Sequence, residues 1–211
     1  MGLDYSYLLY FKREHLWDAL HGVAGIAEPH QPPIKIYFPD HKLPVPLKVW
    51  NYEEGSIHHD DPEFNFDTVL FFEEDDAIED YLLLLDRDGK YNYRSPPGED
   101  EVPRVRIGYI YLTIYSDLSQ RYPHRKPADD LVLFDFGTTG TRMSMLFYYS
   151  TSIRKTFVKL MESHQGVCGM FNKEDGGGEL FWFQGHKMSE DIEDAYMLPE
   201  EIEATLEKRR K

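Results

Sequence analysis

Cysteine is almost missing from this chain. Cys168 is the only one in 211 residues, so no internal disulfide can form and no cysteine-rich metal knuckle can assemble. Long apolar runs are missing too: no window approaches the roughly 18 residues of a membrane helix, and the N-terminus carries neither a basic leader nor a long apolar core. Met1-Gly2-Leu3-Asp4-Tyr5-Ser6 fits the loose myristoylation pattern, but no basic cluster follows to supply a second membrane signal. These absences lead us to expect a soluble cytoplasmic protein with no membrane partner. Positive charge is scarce as well, with 23 Lys and Arg against 38 Asp and Glu and a formal net charge of -15. Such a chain repels phosphate backbones, which excludes nucleic acid as the expected partner.

Catalytic signatures are also wanting. Gly137-Thr138-Thr139-Gly140-Thr141-Arg142 lacks the lysine of a phosphate loop and is read as a hairpin turn leading into a strand. Asp135-Phe136-Gly137 echoes the kinase metal-binding tripeptide without the other kinase motifs, so the match is a coincidence. No Gly-x-Ser-x-Gly elbow occurs. Cys168 stands close in sequence to His164, yet its place between Val167 and Gly169 in an apolar stretch marks a buried, inert thiol. Carboxylates abound, but no two of them are set apart as an acid-base pair. We therefore assign no catalytic residue and predict no cofactor.

What is present suffices for a folded chain. With 41% hydrophobic and 15% aromatic residues, it can offset the entropy of ordering. Tyr5 to Phe11 is apolar on both alternating faces and reads as an interior strand. Leu16, Trp17, Leu20, Val23, Ala24 and Ala27 form one helical stripe, giving a helix at about 13–27 without an evident N-cap. Ile34 to Phe38 and Lys42 to Val49 pair across a turn at Pro39-Asp40-His41. Pro44 and Pro46 remove donors from one side of the second segment, which makes it an edge strand.

Between Val49 and Asp86 there is no Lys or Arg and there are thirteen Asp and Glu. Within this block Phe66 to Phe72 reads as a strand, 73–80 as a solvated turn or short helix, and Tyr81 to Leu85 as a buried strand. After a loop over 87–103, Arg104 to Tyr115 sets Ile110, Leu112 and Ile114 against a core. Its opposite face, Tyr109, Tyr111, Thr113 and Tyr115, either covers a helix or stands open as a contact surface. Arg121, His124, Arg125 and Lys126 make the one basic spot in mid-chain.

Leu131 to Phe136 and Arg142 to Tyr149 then read as a hairpin. A helix follows at 151–164, capped by Ser150, Thr151 or Ser152, and Val167 to Phe171 pairs with Glu179 to Phe183. Beyond these, Ser189 and Pro199 offer helix starts in an acidic tail that closes on Lys208 to Lys211.

A shift of 138 positions lays Ser6, Leu8 and Tyr10 on Ser144, Leu146 and Tyr148. The expected fold is accordingly α+β: a large, mainly antiparallel sheet built from two weakly related strand-helix-strand-strand halves, about 5–49 and 141–183, with helices packed on it. Residues 1–186 form a single domain, and 187–211 an acidic segment with a short peripheral helix.

Function is expected to follow charge. The leading expectation is a non-enzymatic, immunity- or inhibitor-like protein whose acidic surface, with Glu53, Glu54, Glu73, Glu74, Asp75 and Asp76, engages a basic protein partner. The alternative is an enzyme or small-ligand binder with a pocket between the halves, metal-assisted through His58, His59, Asp60 and Asp61, whose nitrogen and oxygen donors suit zinc, manganese or iron. Self-association through the tyrosine face of 104–115 is the third expectation, with a homo-oligomer as its product.

Overall fold

The doubly apolar segment Ser6–Lys12 (β1) has a core on each side. In the computed structural model, which describes residues 3–50, 57–85, 93–95, 102–174 and 176–209, Tyr7, Leu9 and Phe11 enter one apolar cluster and Leu8 and Tyr10 the other. A 3-10 turn over Arg13–His15 leads into α1 (Leu16–Gly25), followed by β2 (Ile34–Tyr37), β3 (Lys42–Val45), β4 (Lys48–Val49) and β5 (Ile57–His58). Next come β6 (Glu63–Glu73), α2 (Asp76–Leu85), β7 (Arg94–Ser95), β8 (Arg104–Tyr115), α3 (Leu118–Arg121) and β9 (Leu131–Thr138). The chain closes with α4 (Thr141–Tyr149), α5 (Thr151–Ser163), β10 (Cys168–Asn172), β11 (Gly178–Phe183), β12 (His186–Ile192) and α6 (Pro199–Arg209).

The fold is α+β. Eight of these strands run in the order β12-β11-β10-β1-β9-β8-β6-β4, with β7 paired to β8, and every neighbouring pair in this sheet is antiparallel. A second sheet, β3-β2-β5, has the proline-bearing β3 at its edge, where a missing donor costs nothing. On one face of the large sheet, Phe66, Phe72, Phe136, Phe171 and Phe181 pack beneath α1, α4 and α5. Phe157 of α5 stacks on Tyr7 at 4.4 Å between centroids. Each such ring pair adds about 0.5–1.5 kcal/mol beyond its buried area. The other face is covered at the β1-β10-β11 end by Ile192, Leu198 and Ile202.

Several local expectations are corrected. Arg142 to Tyr149 is helix, not strand: Met143, Leu146 and Phe147 are buried at helical spacing, while Tyr148 and Tyr149 point outward. The aligned residues Ser6 to Tyr10 are strand, so the two-half symmetry is not reproduced. Tyr81 to Leu85 belongs to α2, because Ile78 is its buried anchor and Leu83 to Leu85 are exposed. Ser189 lies in β12, which extends the large sheet beyond residue 186 and leaves Pro199 as the helix start. Ser150 does cap α5, its Oγ accepting the Ile153 N–H at 3.0 Å.

Candidate functional site

The acidic block folds into β4, β5, β6 and α2, and much of its charge is spent within the fold. Glu73 pairs with Lys159 of α5 at 3.2 Å, and Glu74 pairs with Arg94 of β7. Asp75 has a different task. Its Oδ1 accepts the Ile78 N–H at 3.0 Å and caps α2, while its Oδ2 accepts the Ser152 N–H at 2.8 Å and the Ser150 hydroxyl at 2.9 Å at the start of α5. Burial works upward on this carboxyl, but the hydrogen bonds from Ser152, Ile78, Ser150 and Thr151 prevail and hold its pKa below the usual range. Asp76 opens α2. Glu53 and Glu54 lie outside the described residues.

With Glu73 to Asp75 committed internally, the outward charge of α2 is Asp76, Glu79 and Asp80, all exposed. None of the three forms an ion pair among the described residues. Beside them lies a groove of about 280 Å³ between α2 and α4, lined mainly by Ala77, Tyr81, Leu84, Met145, Leu146 and Tyr149. Of the seven large hydrophobic residues exposed among those described, Leu83, Leu84, Leu85, Tyr148 and Tyr149 all fall on these two helices. Leu83 is 63% exposed and Tyr149 60%. Asp80, Thr141 and Arg142 form the polar rim. The sequence showed the charge here but not the groove, since a run of four leucines reads equally as strand or helix.

The His58 to Asp61 corner is a turn built on aromatic rings. Asp61 Oδ2 accepts the His58 N–H at 2.7 Å, which engages that carboxylate in the turn itself. The His58 ring lies 5.6 Å from that of Tyr37, while His59 and His41 both stack on Phe38, at 5.0 and 4.4 Å. Among the described residues no group of three or more His, Cys, Asp or Glu side chains is placed to hold a metal ion.

The tyrosine face of β8 stands partly open, with Tyr109 72% exposed at a bulge where its φ is 59°. Trp50 reaches over to Tyr111, with centroids 4.7 Å apart. Of the basic spot in mid-chain, Arg125 is held by Glu201 at 2.8 Å, by Asp194 at 3.3 Å and by the Tyr196 carbonyl at 2.6 Å. Arg121 lies 3.6 Å from Asp135. The Asp135 carboxyl is pushed up to about 6, burial outweighing the Arg121 charge and the Ser6 hydroxyl. Only the sequence position of Asp135 between apolar residues could have hinted at this. Cys168 is fully buried and its thiol is driven far above the usual range by that burial. No helix among the described residues is long and apolar enough to cross a membrane. No family model matches the chain, and neither a curated protein nor a solved structure matches it.

Proposed function

We propose that this chain is a non-enzymatic binding protein, immunity- or inhibitor-like, which engages a basic protein partner through the acidic, leucine-bearing face of α2 and α4. The observation that carries this reading is the apolar groove between α2 and α4, where the exposed Leu84 and Tyr149 stand beside Asp80, with Asp76 and Glu79 exposed on the same helix as Asp80. An exposed apolar cluster rimmed by charge is the usual mark of a protein contact, and aromatic side chains are enriched in such contacts. Charge decides the kind of partner. A net charge of -15 disfavours a second copy of the chain at this face and raises the encounter rate of a basic one. A cytoplasmic setting, without nucleic acid or membrane as partner, accompanies this reading; the homo-oligomer is the less favoured assembly.

Affinity selection with matched baits tests it. Wild-type chain, Leu84→Glu, and the double variant Glu79→Lys/Asp80→Lys are compared under identical salt. A basic protein is expected on the wild-type bait, tenfold or more depleted on both variants and released by salt. A partner retained equally by all three baits would contradict the proposal.

A further inference from the structure

The half of the large sheet that α6 leaves uncovered carries an unusual set of side chains. Side chains alternate along a strand, so the registers of β6, β8 and β9 fix what shares this face. From β6 come Glu63, Asn65 and Asp67; opposite them β8 supplies Tyr115, Thr113 and Tyr111. Asp135 of β9 sits beside Thr113. None of these is aliphatic, whereas the reverse face of the same strands buries Phe64, Phe66, Leu112 and Ile114.

Two charged groups at the centre of this face have hydrogen-bonding capacity left over. The Arg121 guanidinium lies between the rings of Tyr115 and Tyr196, at 5.8 and 5.2 Å from their centroids, and its Nε is buried without a hydrogen-bond partner among the described residues. Its nearest carboxylate oxygen, on Asp135, is 3.6 Å away, an ion pair too long to be a hydrogen bond. Both side chains still reach solvent, at 29% and 16% exposure. A buried donor left without a partner is costly, so such a group calls for a specific reason.

We propose that this face binds a neutral, hydroxyl-rich ligand, a saccharide or polyol, which hydrogen-bonds the part of the Arg121 guanidinium that reaches solvent and the Asp135 carboxylate beside it, the buried Nε staying out of its reach. A hydroxyl group both accepts and donates, so one group satisfies the guanidinium and the carboxylate together. Charge excludes the other classes. An anion meets Asp135 and Glu63, while Asp67 is already paired with Lys48 at 2.7 Å, and a cation meets Arg121; the one aliphatic side chain in register here, Leu133 beside Tyr115, is fully buried and offers an apolar ligand nothing to cover. The rings of Tyr111 and Trp50 offer planes for the C–H face of a sugar, with Asn65 and Thr113 between them for its hydroxyls. This site is separate from the α2–α4 face and does not depend on it.

The test is saturation-transfer difference NMR on the full chain with maltotriose, cellotriose, xylotriose and chitotriose, followed by titration of any that respond, with citrate and spermidine as charged probes. At least one saccharide is expected to bind, with affinity falling tenfold or more in Arg121→Gln and in Tyr111→Ala. Should Arg121→Gln fail to fold, Thr113→Val, which is nearly the same size, gives the same readout. Silence towards all four saccharides, as when water alone fills the gap, overturns the proposal. So does an affinity unchanged in the folded variants, or tighter binding of either charged probe.

Discussion

The Asp75 carboxylate accepts the Ser152 N–H at 2.8 Å and thereby joins the starts of α2 and α5, which are far apart in the chain. One side chain holds N-terminal donors of two helices while the Ser150 hydroxyl, itself bound to Asp75, caps α5 from within. Cores alone do not fix where two helices begin; this shared cap does, and it sets α2 in the place where its outer face adjoins α4.

Replacing Asp75 with Ala should destabilise the protein by about 1–3 kcal/mol, since a single N-cap is worth about 1 kcal/mol and two are lost with the partnering of Ser150. Equilibrium urea unfolding measures it. Asp75→Asn, which keeps one acceptor oxygen, should fall between wild type and Ala. The folded pKa of Asp75 is below its unfolded value, so its contribution is full above the ordinary carboxylate pKa and is lost as pH falls through the folded value. The wild-type advantage over Asp75→Asn should therefore shrink in acid.

Asp135 should act with the opposite sign. Its folded pKa of about 6 lies above the unfolded 3.8, so the native state holds the extra proton between those values, and this group's stabilisation falls as pH rises from about 4 to about 6. A shift of this size corresponds to about 3 kcal/mol as an order of magnitude. The stability of wild type minus that of Asp135→Asn, followed by denaturant unfolding, should decline across this window and be flat above pH 7.

Two glycines should respond in opposite ways. A Cβ at Gly178 would lie 2.5 Å from the Phe171 carbonyl oxygen, a backbone atom that cannot turn aside, while one at Gly25 meets nothing within 4 Å. Gly178→Ala should cost about 1–3 kcal/mol by overpacking, whereas Gly25→Ala, at the end of α1, should gain up to about 1 kcal/mol from helix propensity. Thermal unfolding of both variants decides it.

The Cys168 thiol, fully buried at the start of β10 with its pKa far above the usual range, should resist aromatic disulfide reagents in the folded protein. Its labelling rate should follow global unfolding in urea. Rapid labelling of the native protein would mean that β10 opens locally.

The periodic signals were legible in the sequence. The double-faced Tyr5 to Phe11, the stripe of α5 with its Ser150 cap, the hairpin of β10 and β11 and the edge position of β3 all follow from spacing and from proline chemistry. Residues 142–149 and 81–85 were misread for one reason: in short, apolar-rich segments the helical and the alternating patterns both fit, and only burial separates them. The acidic block was visible as composition, but which acids remain outward was not. That depends on Lys159, Arg94 and Ser152 arriving from distant elements. The Asp135–Arg121 pair was hidden likewise, because its two members come from β9 and α3 and meet only across the sheet face.

The central claim is that a basic protein docks on the α2–α4 face, and a photo-crosslinking amino acid placed at Leu84, in cells of the source organism, tests it most directly. The same probe at Glu207, exposed on α6, serves as control. The account predicts one basic protein crosslinked from position 84 and not from 207, with the crosslink lost in the Glu79→Lys/Asp80→Lys background. An acidic protein, a second copy of this chain, a crosslink only within the chain itself, or equal yields from both positions would contradict it.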